Sequence, residues 1–148
     1  MKTITAKEAA EWCKTHGVVI ADWGLPDVRR GTPGTVDFPI PKDAGERTAM
    51  VKKQMSAMLN TSTCLVWLHD WSVWPSGQWH HLFERFRLSY GCADPLIAKP
   101  AHLIDNTESD SAVSIAVYAV LMLWDCYVIT ADGRWLYYSH DECGRMKE

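Results

Sequence analysis

The sequence predicts an α+β (or α/β) domain: a single mixed β-sheet of about five strands, helices packed on it, and a C-terminal β-hairpin. Three observations predict it. Apolar residues recur at helical spacing in three stretches: Ala9/Trp12/Cys13, Val51/Met55/Met58/Leu59 and Trp79/Leu82/Phe83/Phe86/Tyr90. Between the helical stretches lie short uncharged runs rich in β-branched and aromatic residues, above all Thr63–Leu68. Near the end, Tyr127–Thr130 and Arg134–Ser139 flank Ala131-Asp132-Gly133, and an Asp-Gly pair between such runs marks a hairpin.

The elements follow in order. Thr5 and Glu8 have capping-box spacing and Gly17 supplies a stop, so the first helix spans about residues 6 to 15. Val18–Ala21 reads as a short buried strand. Residues 24–42 form a loop punctuated by Gly24, Pro26, Gly31, Pro33, Gly34, Pro39 and Pro41, with Thr35–Phe38 as a short edge strand inside it. Asp43 caps a second helix over about 44–59. Thr63–Leu68 is the central strand. Ser76 caps a third helix over about 77–90, closed by Gly91. Leu96–Ile104 is a strand interrupted by Pro100. An acidic turn, Asp105 to Asp110, precedes a fourth helix over about 111–123, apolar on every side and therefore buried on most of them. The hairpin closes the chain.

Composition narrows the function classes. The 148 residues suit one domain over the whole of 1–148, and 47% hydrophobic with 22% charged residues excludes disorder as the dominant state. Net charge is −3, and the basic residues come as short pairs such as Arg29-Arg30 and Lys52-Lys53, which argues against nucleic acid and against a polybasic membrane anchor. The N-terminal residues lack an apolar signal segment, and the longest uncharged apolar run, Ala112–Trp124, is too short to span a bilayer. Cys13, Cys64, Cys92, Cys126 and Cys143 are an odd number without a CxxC pair, as expected of reduced thiols in a cytoplasmic protein. Cys92 and Cys143 lie beside glycines in loops and are the two with a chance of reacting. Eight tryptophans are the one excess, and tryptophan serves both cores and binding hot spots.

Candidate chemistry gathers at strand ends. His69-Asp70 follows the central strand, His102 and Asp105 bracket Leu103-Ile104, and His140-Asp141-Glu142 follows the hairpin. In a sheet with helical crossovers, ligands bind outside the carboxyl ends of the strands, and His, Asp and Glu suit general acid–base work or a borderline metal. The same residues are also ordinary turn formers. Neighbours on a strand point to opposite faces, so His69 and Asp70 converge only if the strand ends there. No HExxH, HxH or CxxC fixes a metal ligand pair, and nothing requires a cofactor. His80 and His81, with Glu84, Arg85 and Arg87, read as a solvated helix face at pairing distance.

From Pro41 to Glu142 the chain resembles an uncharacterised family of small bacterial cytosolic proteins. The resemblance is carried by Asp43-Ala-Gly-Glu-Arg-Thr48, Leu65-Val-Trp-Leu68 with Val73-Trp-Pro-Ser76, Leu82-Phe-Glu-Arg-Phe-Arg87, Trp124-Asp125 and Ser139-His-Asp-Glu142. It implies a soluble bacterial α/β-type protein, loosely like immunity domains in size and tryptophan content, and it brings no catalytic roles.

Two main functions remain open, beside a third in which the chain is a structural component of a larger assembly and the 24–42 loop orders on contact. The leading expectation is a non-enzymatic protein-binding domain of immunity or inhibitor type. It would occlude a partner with Trp71, Trp74 and Trp23 as anchors, set among Asp70, Asp141 and Glu142. The alternative is a small hydrolase or metal-dependent enzyme using His69, Asp70, His140, Asp141 and Glu142. The sequence sets no oligomeric state.

Overall fold

The computed structural model describes residues 1–59, 63–70 and 77–148, with backbone alone at 77–79. Helix α1 (Ala6–Thr15) starts on its capping box: Thr5 Oγ1 accepts the Glu8 N–H at 3.2 Å, and Glu8 Oε2 accepts the Thr5 N–H at 2.8 Å. Helix α2 (Ala44–Met58) starts at Asp43, whose carboxylate accepts the Glu46 N–H at 2.9 Å. Helices α3 (Gly77–Ser89) and α4 (Ser109–Leu121) complete the set, the latter entered through a short 3-10 turn, Asn106–Glu108. The Ser76 cap expected for α3 lies outside the described residues.

The strands are β1 (Lys2–Ile4), β2 (Thr35–Pro39), β3 (Cys64–His69), β4 (Ala101–Ile104), β5 (Asp125–Thr130), β6 (Trp135–Tyr138) and β7 (Cys143–Lys147). They form one sheet in the order β1-β4-β3-β5-β6-β7-β2. The α+β class holds, but among the described residues the sheet has seven strands rather than about five, and every paired neighbour is antiparallel rather than mixed. Val18–Ala21 is not a strand; its backbone makes a single bridge, Ile20 to Pro26. The expected edge strand in the 24–42 loop is β2, which pairs with β7 alone.

The connection after β3 explains the antiparallel order. Helix α3 carries the chain back along the sheet, and residues 90–100 carry it out again. β4 therefore enters where β3 leaves, with Ala101 opposite Trp67 and the Leu68 N–H donating to the Pro100 carbonyl at 3.1 Å. β4 and β5 then run the same way, joined by α4 as in a split βαβ unit, with β3 antiparallel between them. The strand expected over Leu96–Ile104 shortens to β4 because its first half is spent on this return.

Burial on both faces makes β3 continuously apolar instead of alternating. Val66 and Leu68 join the core under α2, α3 and α4, with Val51, Met55, Phe83, Ile115 and Leu136. Leu65 and Trp67 face α1, with Ala9, Cys13, Tyr127 and Ile129. Phe83 of α3 is fully buried and meets the rings of His102, Tyr118 and Trp124 at 5.0–5.9 Å. Arg87, one turn on, is also fully buried, which corrects its placement on the solvated face; Arg85 and His81 are exposed there as expected, and His80 and Glu84 are half-buried. Spacing of four from Phe83 puts Arg87 over the sheet regardless of its charge. Gly133 turns the β5–β6 hairpin with φ +85, and a Cβ there would lie 2.9 Å from the His16 carbonyl oxygen of α1's end. Among the described residues no helix is long and apolar enough to cross a membrane.

Candidate functional site

The antiparallel register brings the end of β3 and the start of β5 to one corner, on the α1 side of the sheet: His69 is paired directly with Asp125. Asp125 is 5% exposed and is the centre of the corner. Its Oδ1 accepts the His140 backbone N–H at 2.7 Å and lies 2.8 Å from His140 Nδ1. Its Oδ2 accepts the Tyr137 hydroxyl at 3.2 Å. Burial pushes the Tyr137 and Tyr127 phenols up, so both stay protonated, and their rings stack at 4.8 Å as a floor beside the carboxylate.

A carboxylate accepts and does not donate, so the proton of a neutral His140 sits on Nδ1 and its Nε2 carries the lone pair. Nε2 lies 3.3 Å from Asp141 Oδ1, on a side chain that is 76% exposed. The hydrogen bond that His140 donates to Asp125 holds the imidazole above its ordinary pKa against partial desolvation, and the charges of Asp125, Asp141 and Asp70 add to it.

The strand does end at His69, and Asp70 takes a left-handed conformation with φ +51, uncommon for a residue other than glycine. That turn brings Asp70 Oδ2 to 3.1 Å from His69 Nδ1. The contact has ion-pair distance without hydrogen-bond geometry, and Nδ1 is buried with no hydrogen-bond partner. One donor atom each from His69, Asp70 and Asp125 falls within 4.8 Å of the others.

Of the candidates read from the sequence, the structure gathers His69, Asp70, His140 and Asp141 around Asp125. Glu142 is not with them. It points to α2, where its carboxylate pairs with buried Arg47 at 2.7 Å, and its backbone carbonyl accepts the Ile40 N–H at 3.0 Å. Three consecutive residues in a turn do not share one direction, and Glu142 itself has φ +59. Asp125 is absent from the sequence candidates because it opens a strand, whereas those candidates lie at carboxyl ends. In an antiparallel sheet the carboxyl end of one strand meets the amino end of its neighbour, so an acidic residue opening a strand is the signal that points to this corner.

The other candidates fall elsewhere. His102 is fully buried in β4 beneath α3, donates from Nδ1 to the Val66 carbonyl at 3.1 Å, and is depressed to about 3 by desolvation and by Arg87. Asp105 caps the 3-10 turn by accepting the Thr107 N–H at 2.8 Å. Trp23 is 61% exposed, in a turn closed by the Gly24 N–H on the Ala21 carbonyl. Trp71 and Trp74 lie outside the described residues. The five cysteines are all free thiols. Burial lifts Cys13 and Cys64 to about 12, Cys92 is buried, and Cys143 opens β7 instead of lying in a loop. Comparison with protein-family models, with curated proteins and with solved structures finds no match to this chain.

Proposed function

We propose that the protein is a small enzyme of hydrolytic type, working by general acid–base chemistry at the His140–Asp125 pair with His69 and Asp70 beside it. The observation that carries this reading is the double hold of buried Asp125 on His140, through the backbone N–H and through ring Nδ1. A carboxylate so placed fixes the tautomer and the orientation of the ring. It leaves Nε2 as the atom that takes a proton from water or a hydroxyl and returns it to a leaving group. Asp141 is placed to stabilise the imidazolium as it forms. The test is turnover of activated esters, phosphoesters and amides by the purified protein. His140→Ala should lower the rate by about 10²–10⁴-fold. Absence of turnover across the panel, or full activity in His140→Ala, would sink it.

A second reading, the protein-binding domain, has one observation in its favour. Trp23 and Val19 stand 61% and 66% exposed on the segment between α1 and β2. Large apolar side chains in that state suit an anchor for a partner. Loss of a partner recovered from the native host on Trp23→Ser, with unchanged melting, would favour it over the enzymatic reading.

A further inference from the structure

We propose that His69, Asp70 and Asp125 form a binding site for one divalent transition metal ion, with zinc the best fit. The proposal rests on the reading of this corner as the functional site, and adds a ligand to it.

Geometry is the first support. In a tetrahedral zinc site the ligand atoms lie about 2.0–2.2 Å from the metal, so neighbouring ligand atoms are roughly 3.3 Å apart. His69 Nδ1 and Asp70 Oδ2 approach to 3.1 Å without a hydrogen bond between them. Two donors at that separation, neither using the other, are arranged as joint ligands of a third atom. The Nδ1 atom is buried and unpartnered, an orphan that a metal would satisfy.

The surroundings of Asp125 are the second support. Metal-binding side chains are held by outer hydrogen bonds that fix their orientation. Asp125 Oδ1 already holds the His140 N–H and ring, while Oδ2 holds only the Tyr137 hydroxyl at 3.2 Å and keeps a lone pair to give. Ligand chemistry is the third support. Two acidic side chains and one imidazole at a single corner supply ligand types that a divalent ion takes. Three protein ligands with an open position match the ligand count of catalytic zinc, one nitrogen with two oxygens are all atoms zinc accepts, and three are too few for calcium.

A second group, His80, His81 and Glu84 on α3, also clusters within 4.8 Å. It lies on a solvated helix face, and His80 Nδ1 is 3.9 Å from Glu84 Oε1 as an ordinary i,i+4 neighbour. No ligand atom there is both buried and unpartnered. It serves as the internal control.

The experiment is a calorimetric titration of chelator-treated full-length protein with Zn²⁺, repeated with Co²⁺ while recording its visible absorption. The expected result is one ion per chain and cobalt bands of low coordination number. His69→Ala and Asp70→Asn should each weaken binding at least tenfold, and His140→Ala by about tenfold through loss of the outer bond. His81→Ala should leave it unchanged. His69 and Asp70 have side chains 40% and 44% exposed, so these variants keep the fold even if Asp125→Asn does not. Absence of binding to the parent protein would overturn the proposal, and so would binding lost in His81→Ala but kept in His69→Ala. Either result leaves the acid–base reading standing, because that reading is judged by turnover and not by metal uptake. Binding without turnover would keep the metal site and remove the enzyme.

Discussion

His102 lies in β4 beneath α3, His140 lies in the turn after β6 beside Asp125, and their environments push them in opposite directions. His102 is enclosed beneath α3, with its Nδ1 on a backbone carbonyl and a buried guanidinium as neighbour, and it stays neutral. His140 sits at the sheet's end, with its Nδ1 on a buried carboxylate, and its charged form is favoured. The lesson is that burial and the nearest charge decide a histidine's state here: desolvation and a guanidinium keep His102 neutral despite the carbonyl on its Nδ1, while a carboxylate on Nδ1 favours the charged form of His140. The region around His102 is built for packing. The region around His140 contains polar groups in register and holds two half-exposed side chains at 3.1 Å with no bond between them.

The comparison makes four predictions, from the largest effect to the smallest. Phe83→Ala, in the packed region, should cost about 3–5 kcal/mol in urea unfolding, because four rings lose their shared contact. A cost near 1 kcal/mol would mean that this region is looser than its burial implies.

Acidification should act through His102. Its folded pKa of about 3 lies below the ordinary 6.5, so the unfolded chain binds the extra proton between those values. The contribution is intact above pH 6.5 and falls as pH drops, by about 3 kcal/mol at pH 4. His140 has the opposite sign: its raised pKa favours the fold below 6.5 and loses that contribution as pH climbs through the folded value. Stability curves of His102→Gln should be flatter between pH 6 and 4 than those of the parent protein.

Asp125→Asn should cost about 2 kcal/mol, since the amide cannot accept all the donors now aimed at the carboxylate. It should also return the His140 pKa toward 6.5, read by NMR titration. An unchanged His140 would break the contrast drawn above.

Arg87→Met should stabilise the protein by about 1 kcal/mol. Arg87 is fully buried with Nε and Nη1 unpartnered; one bond, from Nη2 to the Lys99 carbonyl at 2.9 Å, is its main compensation. Removing the charge should also raise the His102 pKa from its depressed value.

Local features of this chain were legible because their partners lie within a few residues. The Thr5–Glu8 box, the Asp43 cap and the Asp132-Gly133 hairpin each satisfy their own backbone donors or turn geometry. β1 and β7 were not legible. Lys2-Thr3-Ile4 is too short to show a period, and Cys143-Gly-Arg-Met-Lys147 has a glycine and two cations that speak against a strand. Both are strands because a neighbour offers a ladder, β4 for the first, β6 and β2 for the second.

The same division runs through the candidate site. By itself the sequence determined that His69-Asp70 closes a central strand and that His140-Asp141 follows a hairpin, because periodicity and turn chemistry are local. Only the tertiary structure decided that Asp125 joins them, that Glu142 leaves for Arg47, and that Arg87 goes under α3 instead of into water. The physical reason is register. Pairing β3 antiparallel to β5 puts His69 opposite Asp125, and a shift of one residue would carry every side chain of the strand to the other face.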